Sequence, residues 1–346
     1  MKIVSLFTGA GGLDLGFKKT GFEIIWANEF DPTIWDTLEY NFPETKLDKR
    51  SIVNIPLVDI PFTDGIIGGP PCQSWSEAGV GRGINDKRGQ LFFDYVRILK
   101  DKQPLFFLAE NVSGILLPRH REAFKEILRQ FNEAGYNVSF KLLNANDYGV
   151  PEDRLRVIIV GYHKQKLGIT FEFPKSRSHK PTLKEAIWDL RLAKPAKPFN
   201  KTNGENLHVS NHEYMIGGFS SIYMSRNRVR SWNEPSFTIQ AGGRHAPIHP
   251  QAPKMKFIEQ NIRIFIPGQE HLYRRLSVRE CARIQTFPDD FIFKYKNIAD
   301  GYKMIGNAVP VEFAKAIAQK IIEDLKAFKE ISLEESLLGQ GPHNFV

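Results

Sequence analysis

Cysteine is scarce: the 346 residues contain two, Cys72 and Cys281. A disulfide framework is therefore excluded, and a zinc site would need other ligands. Long apolar runs are missing as well, and none approaches the roughly 18 residues that a membrane span requires. The start, Met1 to Phe7, is too short for the apolar core of a secretion signal and runs straight into glycines. The expected setting is a reducing cytosol. Internal repeats and low-complexity blocks are also lacking, which excludes solenoids. What remains is an ordinary globular composition, 42% hydrophobic and 25% charged, in a chain long enough for two domains.

Charge is unevenly placed. Lys plus Arg is 47 and Asp plus Glu is 39, a net +8. Between Lys175 and Arg275 there are 17 basic and 7 acidic residues, or +10, so the rest of the chain is 8 − 10 = −2. A basic module on a near-neutral body suits a polyanionic partner. The alternative is a well-solvated surface.

The first 165 or so residues alternate between short apolar runs and amphipathic stretches. Lys2–Phe7, Glu23–Asn28, Asp64–Ile67, Leu105–Glu110, Val138–Asn144 and Val157–Tyr162 read as strands. Pro32–Asn41, Phe92–Lys100 and Arg121–Ala134 read as helices, the last stopped by Gly135. This alternation predicts a parallel sheet covered on both faces, with the chemistry at the carboxyl ends of its strands. Beyond residue 170 prolines and turn residues dominate. Phe237–Gln240 reads as a short β-piece, and helices return at Ser277–Ile284 and Val311–Phe328. Ser277 and Glu280 have the spacing of a capping box.

Four segments carry chemistry. Phe7–Phe17, with Gly9, Gly11 and Gly12, follows a strand and opens a helix, and Glu29 closes the next strand. That arrangement suits a nucleoside cofactor, with Glu29 on a ribose diol; the alternative is a tight strand–helix turn. Gly68 to Ser76 presents Cys72 on a rigid Gly/Pro loop after a strand, where a nucleophile would stand. Cys281, inside an amphipathic helix, suits a buried apolar role. Glu110-Asn111-Val112 ends another strand. Arg154-Leu155-Arg156 precedes a strand, and alternation places its two guanidiniums on one face, suited to a phosphate or a base carbonyl.

These segments in this order, with Arg274–Arg283 and Gly306–Pro310 further on, resemble the motif series of DNA cytosine-5 methyltransferases over almost the whole chain. The resemblance implies an α/β fold: a Rossmann-like S-adenosylmethionine-dependent methyltransferase sheet with a smaller irregular target-recognition domain. The implied boundaries are 1–172 for the first part of the catalytic domain and 173–300 for target recognition. Residues 301–330 would be a returning catalytic segment and 331–346 a frayed tail.

Several further expectations follow from the resemblance. The cofactor is S-adenosyl-L-methionine, no metal is needed, and the substrate is double-stranded DNA. Cys72 is the nucleophile at cytosine C6, Glu110 binds N3 and the amino group, Arg156 holds O2, and Arg154 orients the cysteine loop and a phosphate. The target base leaves the helix, and the Cys72–Arg88 segment, with Gly79, Gly81 and Gly83, resembles a loop that closes over it, where Arg82, Lys87 and Arg88 could meet phosphate. Phe7, Gly9, Gly11, Leu13, Glu29, Ser51, Ile52, Pro70, Leu91, Asn307 and Val309 form the cofactor site, with Trp26 or Phe30 beside the adenine. The family commonly carries an acid where Ser51 stands, and Asp48 is the nearby substitute.

The variable region, Met224–Pro235 with Gly243-Arg244 and His249–Pro253, is similar to that of bacterial HaeIII-type enzymes, which modify GGCC. Arg226, Arg228 and Arg244 are then candidates for reading guanine, Arg230 for phosphate, and Ile222 for filling the space left by the flipped base. A monomer paired in function with a restriction endonuclease is the implied biology. The rival readings are a transfer-RNA cytosine-5 methyltransferase, a non-catalytic DNA-binding module and an unrelated nucleotide-dependent enzyme.

Overall fold

The computed structural model describes residues 1–71, 90–190 and 192–338, without the side chains of Gln90 and 331–338. Its centre is a seven-stranded sheet in the order β3-β2-β1-β4-β5-β7-β6. The strands are β1 (Lys2–Leu6), β2 (Glu23–Asn28), β3 (Lys46–Asp48), β4 (Gly65–Gly68), β5 (Phe106–Val112), β6 (Tyr136–Asn144) and β7 (Leu155–His163). The first five run parallel. β7 is antiparallel to both neighbours, β5 and β6, which corrects the expectation of a wholly parallel sheet. The cause is the connection: residues 145–154 are too few for a parallel crossover, which needs a dozen or more.

Helices cover both faces, so the central strands are mostly apolar; Ile3, Val4 and Leu6 are fully buried. On one face α1 (Gly12–Lys18) and the long C-terminal α8 (Val311–Leu338) bury Phe17, Phe313, Ile317 and Ile321 against Phe106 and Tyr162. On the other, α3 (Gln90–Lys102) and α4 (Arg121–Glu133) bring Phe92, Tyr95, Leu99 and Phe131 onto Trp26 and Phe107. Phe107 and Phe131 stack at 4.3 Å between centroids. α8 continues to Leu338 and does not stop at Phe328, so residues expected to fray are helical.

A further core joins α2 (Pro32–Asn41) to α5 (Leu183–Ile187), α6 (Val278–Ile284) and α7 (Ile298–Asn307), through Ile34, Leu38, Ile187, Leu276 and Tyr302. Cys281 lies there with no exposure, and burial pushes its thiol well above the usual range. That environment suits the apolar role expected for it. The capping box at α6 is formed, with Ser277 and Glu280 satisfying each other's backbone amides.

A separate small core of Tyr223, Val229, Ile248, Ala252, Met255 and Tyr273 organises the basic region. Its regular structure includes the short pair β8 (Lys194–Pro195) with β9 (Glu213–Tyr214) and the hairpin β10 (Lys256–Glu259) with β11 (Ile262–Ile264). Phe237–Gln240 is not a strand, contrary to expectation. Its backbone is spent elsewhere: Ile239 N–H donates to the Glu152 carboxylate at 2.6 Å, and Ile239 C=O accepts from Arg154 at 3.0 Å.

α7 docks on this same segment at Gly306. A Cβ added there would lie 2.3 Å from the backbone carbonyl of Gln240, so only glycine permits the approach. Gly306→Ala should destabilise the protein by about 1–3 kcal/mol, the usual cost of overpacking. A lower urea midpoint with an unchanged m-value is the expected result.

Candidate active site

β2 lies to one side of β1 and β4 to the other, so the strand order reverses direction between β1 and β4. Crevices of open α/β sheets form at the carboxyl ends of strands at such a point. A cavity of about 760 Å³ opens there. Its walls include Phe7 and Gly9 after β1, Glu29 and Phe30 after β2, and Gly69, Pro70 and Pro71 after β4. Glu110 and Asn111 of β5 and Asn307 of α7 also line it.

The loop after β1 is conformationally costly. Phe7 holds φ at 55°, a region that bulky residues rarely adopt. α1 starts from Gly11, whose φ of 79° favours glycine and where a Cβ would meet the Phe42 ring at 2.4 Å. Glu29 is anchored by backbone, accepting from Gly9 N–H and Asp31 N–H at 2.8 Å each. A carboxylate has about four acceptor positions, so two remain for a ligand. Burial pushes its pKa upward.

At the other strand ends, Glu110 pairs with Arg156 Nε at 2.7 Å. Register explains the contact: Arg156 sits opposite Val112, and Glu110 is two residues back on the same face. Both side chains are mostly enclosed, 12% exposed each. Asn111 donates to Pro70 C=O at 3.1 Å, which fixes the start of the cysteine loop against β5. Cys72 and the loop residues Gly79, Gly81, Arg82, Gly83, Lys87 and Arg88 lie outside the described residues.

Of the expected cofactor residues, the cavity brings together Phe7, Gly9, Glu29, Ser51, Ile52, Pro70, Leu91 and Asn307. It does not include Gly11, Leu13 or Val309: Gly11 caps α1, while Leu13 and Val309 pack in the core under the sheet. The structure places the alternative residues differently. Phe30 lines the cavity at 66% exposure, whereas Trp26 is 1% exposed in the core. Asp48 is not a free acceptor, because Arg50 grips it through Nε and Nη2 at 3.0 and 2.6 Å.

Arg154 departs from expectation. It is 1% exposed, and its guanidinium donates to the carbonyls of Ile239, Gly306 and Ala308 at 3.0, 2.8 and 2.9 Å. Glu152, fully buried, stands 3.5 Å away. Arg154 therefore cannot reach a phosphate; it joins three chain segments beneath the site. Alternation identified the shared face but not the depth of each side chain.

Arg119, His120, Asp31 and Met304 also line the cavity and carried no motif signal. For Arg119 and His120 the available clue was position, shortly after the carboxyl end of β5.

Among the recognition candidates, Arg226 and Arg228 line a pocket of about 210 Å³ with Asn227, Gln240 and His245. Arg244 is exposed, and neither it nor Arg226 makes an ion pair or hydrogen bond among the described residues. Arg230 differs, being held by Asp153 at 3.1 Å and Glu234 at 3.2 Å. These internal carboxylates neutralise it, which weakens the expected phosphate role. Ile222 is 72% exposed.

The family model for C-5 cytosine-specific DNA methylases matches residues 1–323. The chain belongs to that family. It is similar to the Type II methyltransferases M.FnuDI of Fusobacterium nucleatum, 58% identical over 96% of this chain and 98% of the relative, and M.NgoPII of Neisseria gonorrhoeae, 56% identical over 94% and 96%. M.MthTI of Methanothermobacter thermautotrophicus is 58% identical over 94% of this methylase and 98% of its own length. Among solved structures, DNMT2 of Spodoptera frugiperda has the same fold, with a TM-score of 0.67 at 18% identity over 94% of this chain and 99% of that one. Among the described residues no helix is long and apolar enough to cross a membrane.

One acid near the methylase site is buried without an ion-pair partner among the described residues. Asp14 of α1 is 1% exposed, and burial raises its pKa to about 7, with Ser5 opposing the shift and Glu29 adding to it. Between pH 4 and 7 the unfolded chain has released this proton and the folded one retains it, so folding stability falls as pH rises. Asp14→Asn should remove that contribution. The stability of wild type relative to the variant should drop by about 3 kcal/mol from pH 4 to pH 7 and level off above, read by urea unfolding across pH.

Proposed function

We propose that this methylase transfers a methyl group from S-adenosyl-L-methionine to C5 of a flipped cytosine in duplex DNA, within GGCC, as the modification half of a type II restriction–modification system. The observation that carries the reading is that one cavity is lined both by Glu29 and by the Glu110 of the Glu110–Arg156 pair. Its volume lies within the roughly 300–1,000 Å³ of small-molecule sites.

The donor set fits the cofactor. Glu29 is an acceptor suited to a ribose diol, Phe30, Ile52, Pro70 and Leu91 supply apolar surface for an adenine, and Ser51 and Asn307 supply polar groups. When bound, S-adenosylmethionine supplies the methyl group on a sulfonium.

The chain's own residues do the rest. Cys72 follows Pro71, which lines the cavity. Its thiolate adds to C6, turning the pyrimidine into an enamine that is nucleophilic at C5. Glu110 engages N3 and the amino group as charge develops there, and Arg156, by pairing with Glu110, holds that carboxylate and stands ready for O2. C5 takes the methyl group as its bond to sulfur breaks, and loss of the C5 proton to water with β-elimination then returns the thiolate. Because the ring must be reached from its face and its edge, the nucleotide leaves the stack.

Residues 173–300 serve as the target-recognition domain, flanked by catalytic segments 1–172 and 301–330. Arg226, Arg228 and Arg244 read guanines, as bidentate arginine does in the major groove. The Type II names of the relatives support the restriction–modification role. The transfer-RNA reading is not favoured, because the matching family model is one of DNA methylases.

Expression in a methylation-free bacterial host followed by single-base methylome sequencing should show 5-methylcytosine in GGCC. A different single motif would discard the specificity and retain the chemistry, and no methylation from folded protein would overturn both. Cys72→Ala should lose methyl transfer yet still shift duplex DNA in a gel; full residual turnover would remove Cys72 from the mechanism.

A further inference from the structure

A second buried arginine sits behind the recognition loops. Arg275 is 3% exposed. Its guanidinium donates to Gly217 C=O at 3.0 Å and Gly218 C=O at 2.7 Å, and lies 4.0 Å from the centre of the Phe219 ring and 6.0 Å from that of Tyr223. Tyr223, 1% exposed, donates its hydroxyl to Ala246 C=O at 2.7 Å.

The same tyrosine carries Arg228. That guanidinium stands 4.6 Å from the ring centre and donates to Tyr223 C=O at 2.8 Å and Ile222 C=O at 3.1 Å. Two arginines thus share one ring, and Arg228 Nη1 has no hydrogen bond among the described residues.

The arrangement is costly for a purely structural contact. Burial lowers the pKa of both arginines, and Arg275 Nε is buried without a hydrogen-bond partner among the described residues. Apolar residues of similar volume fill such space at lower cost. What arginine adds is a planar fork that bonds two consecutive carbonyls while stacking on aromatic rings. Arg275 also bridges to Ile248 through its backbone, so it ties the 217–223 loop to the 246–248 segment.

We propose that Arg275 is a positioning residue for sequence discrimination: by fixing Gly217, Gly218 and Tyr223 it sets where Arg228 stands. The inference rests on the reading of Arg228 as a guanine contact.

The test compares kcat/KM on a GGCC duplex with kcat/KM on duplexes in which one G·C pair is exchanged. Arg275→Lys keeps the charge and loses the fork. Its discrimination should fall about tenfold, within the range of one arginine–guanine pair, while affinity for unrelated DNA and for S-adenosylmethionine stays near wild type. Phe219→Leu removes the ring beside the guanidinium and should shift discrimination in the same direction, which keeps the test open where Arg275→Lys melts early. Arg228→Ala should lower discrimination, and adding Arg275→Lys to it should lower it no further.

If folded Arg275→Lys and Phe219→Leu lose rate on every duplex alike, or not at all, while Arg228→Ala loses discrimination, the positioning role is overturned and base readout stands. If Arg228→Ala leaves discrimination unchanged, base readout itself fails and the positioning role falls with it.

Discussion

A guanidinium with almost no exposure to water holds the central sheet, the 236–240 segment and the end of α7 in one arrangement. Arg154 satisfies carbonyls at Ile239, Gly306 and Ala308, which lie 85, 152 and 154 residues from it along the chain. Removing a charge from water is expensive, and it is tolerated where hydrogen bonds replace the lost hydration. Here three carbonyls and the nearby Glu152 do so for the two terminal nitrogens, while Arg154 Nε has no hydrogen bond among the described residues, and Glu152 in turn accepts from Ile239 N–H. The cavity wall contributed by Asn307 depends on this clasp, because Asn307 lies between two of the residues it grips.

The cavity itself follows from topology. Parallel strands β1, β4 and β5 end at one rim, where the loops after β1 and β4 and the end of β5 bring Phe7, Pro70 and Glu110 together from distant parts of the sequence. Antiparallel β7 then delivers Arg156 to the same rim from the opposite direction. A parallel strand at that place would have presented its other end, and Glu110 would lack its partner. The one strand that departs from the expected direction is thus the strand that completes the acid–guanidinium pair.

Local chemistry was the most legible part of the sequence. The Ser277–Glu280 box, Pro32 at the start of α2 and Gly135 after α4 act within a few residues, so their spacing carries their meaning. The glycine loop and the acid at Glu29 were legible for the same reason. Strand direction was not, since it depends on which partners pair across the sheet. Nor was depth: alternation relates Arg154 to Arg156, but only the packing of Gly306 and Ile239 buries the first and leaves the second at the rim. The pairing of Asp48 with Arg50, two residues away, was not legible either, because it depends on side-chain placement.

The contact between Gly306 and the Gln240 backbone has an evolutionary consequence. Arg226, Arg228 and Arg244 stand on loops served by their own small core, around Tyr223 and Ile248. Their side chains can change identity without touching the sheet. The main-chain path at Gln240 lacks that freedom, since it presses against the helix that supplies Asn307 to the cavity. If these arginines read bases, as proposed, new target sequences are accessible to a lineage through substitutions on the loops, whereas insertions or deletions next to Gln240 would disturb the cavity.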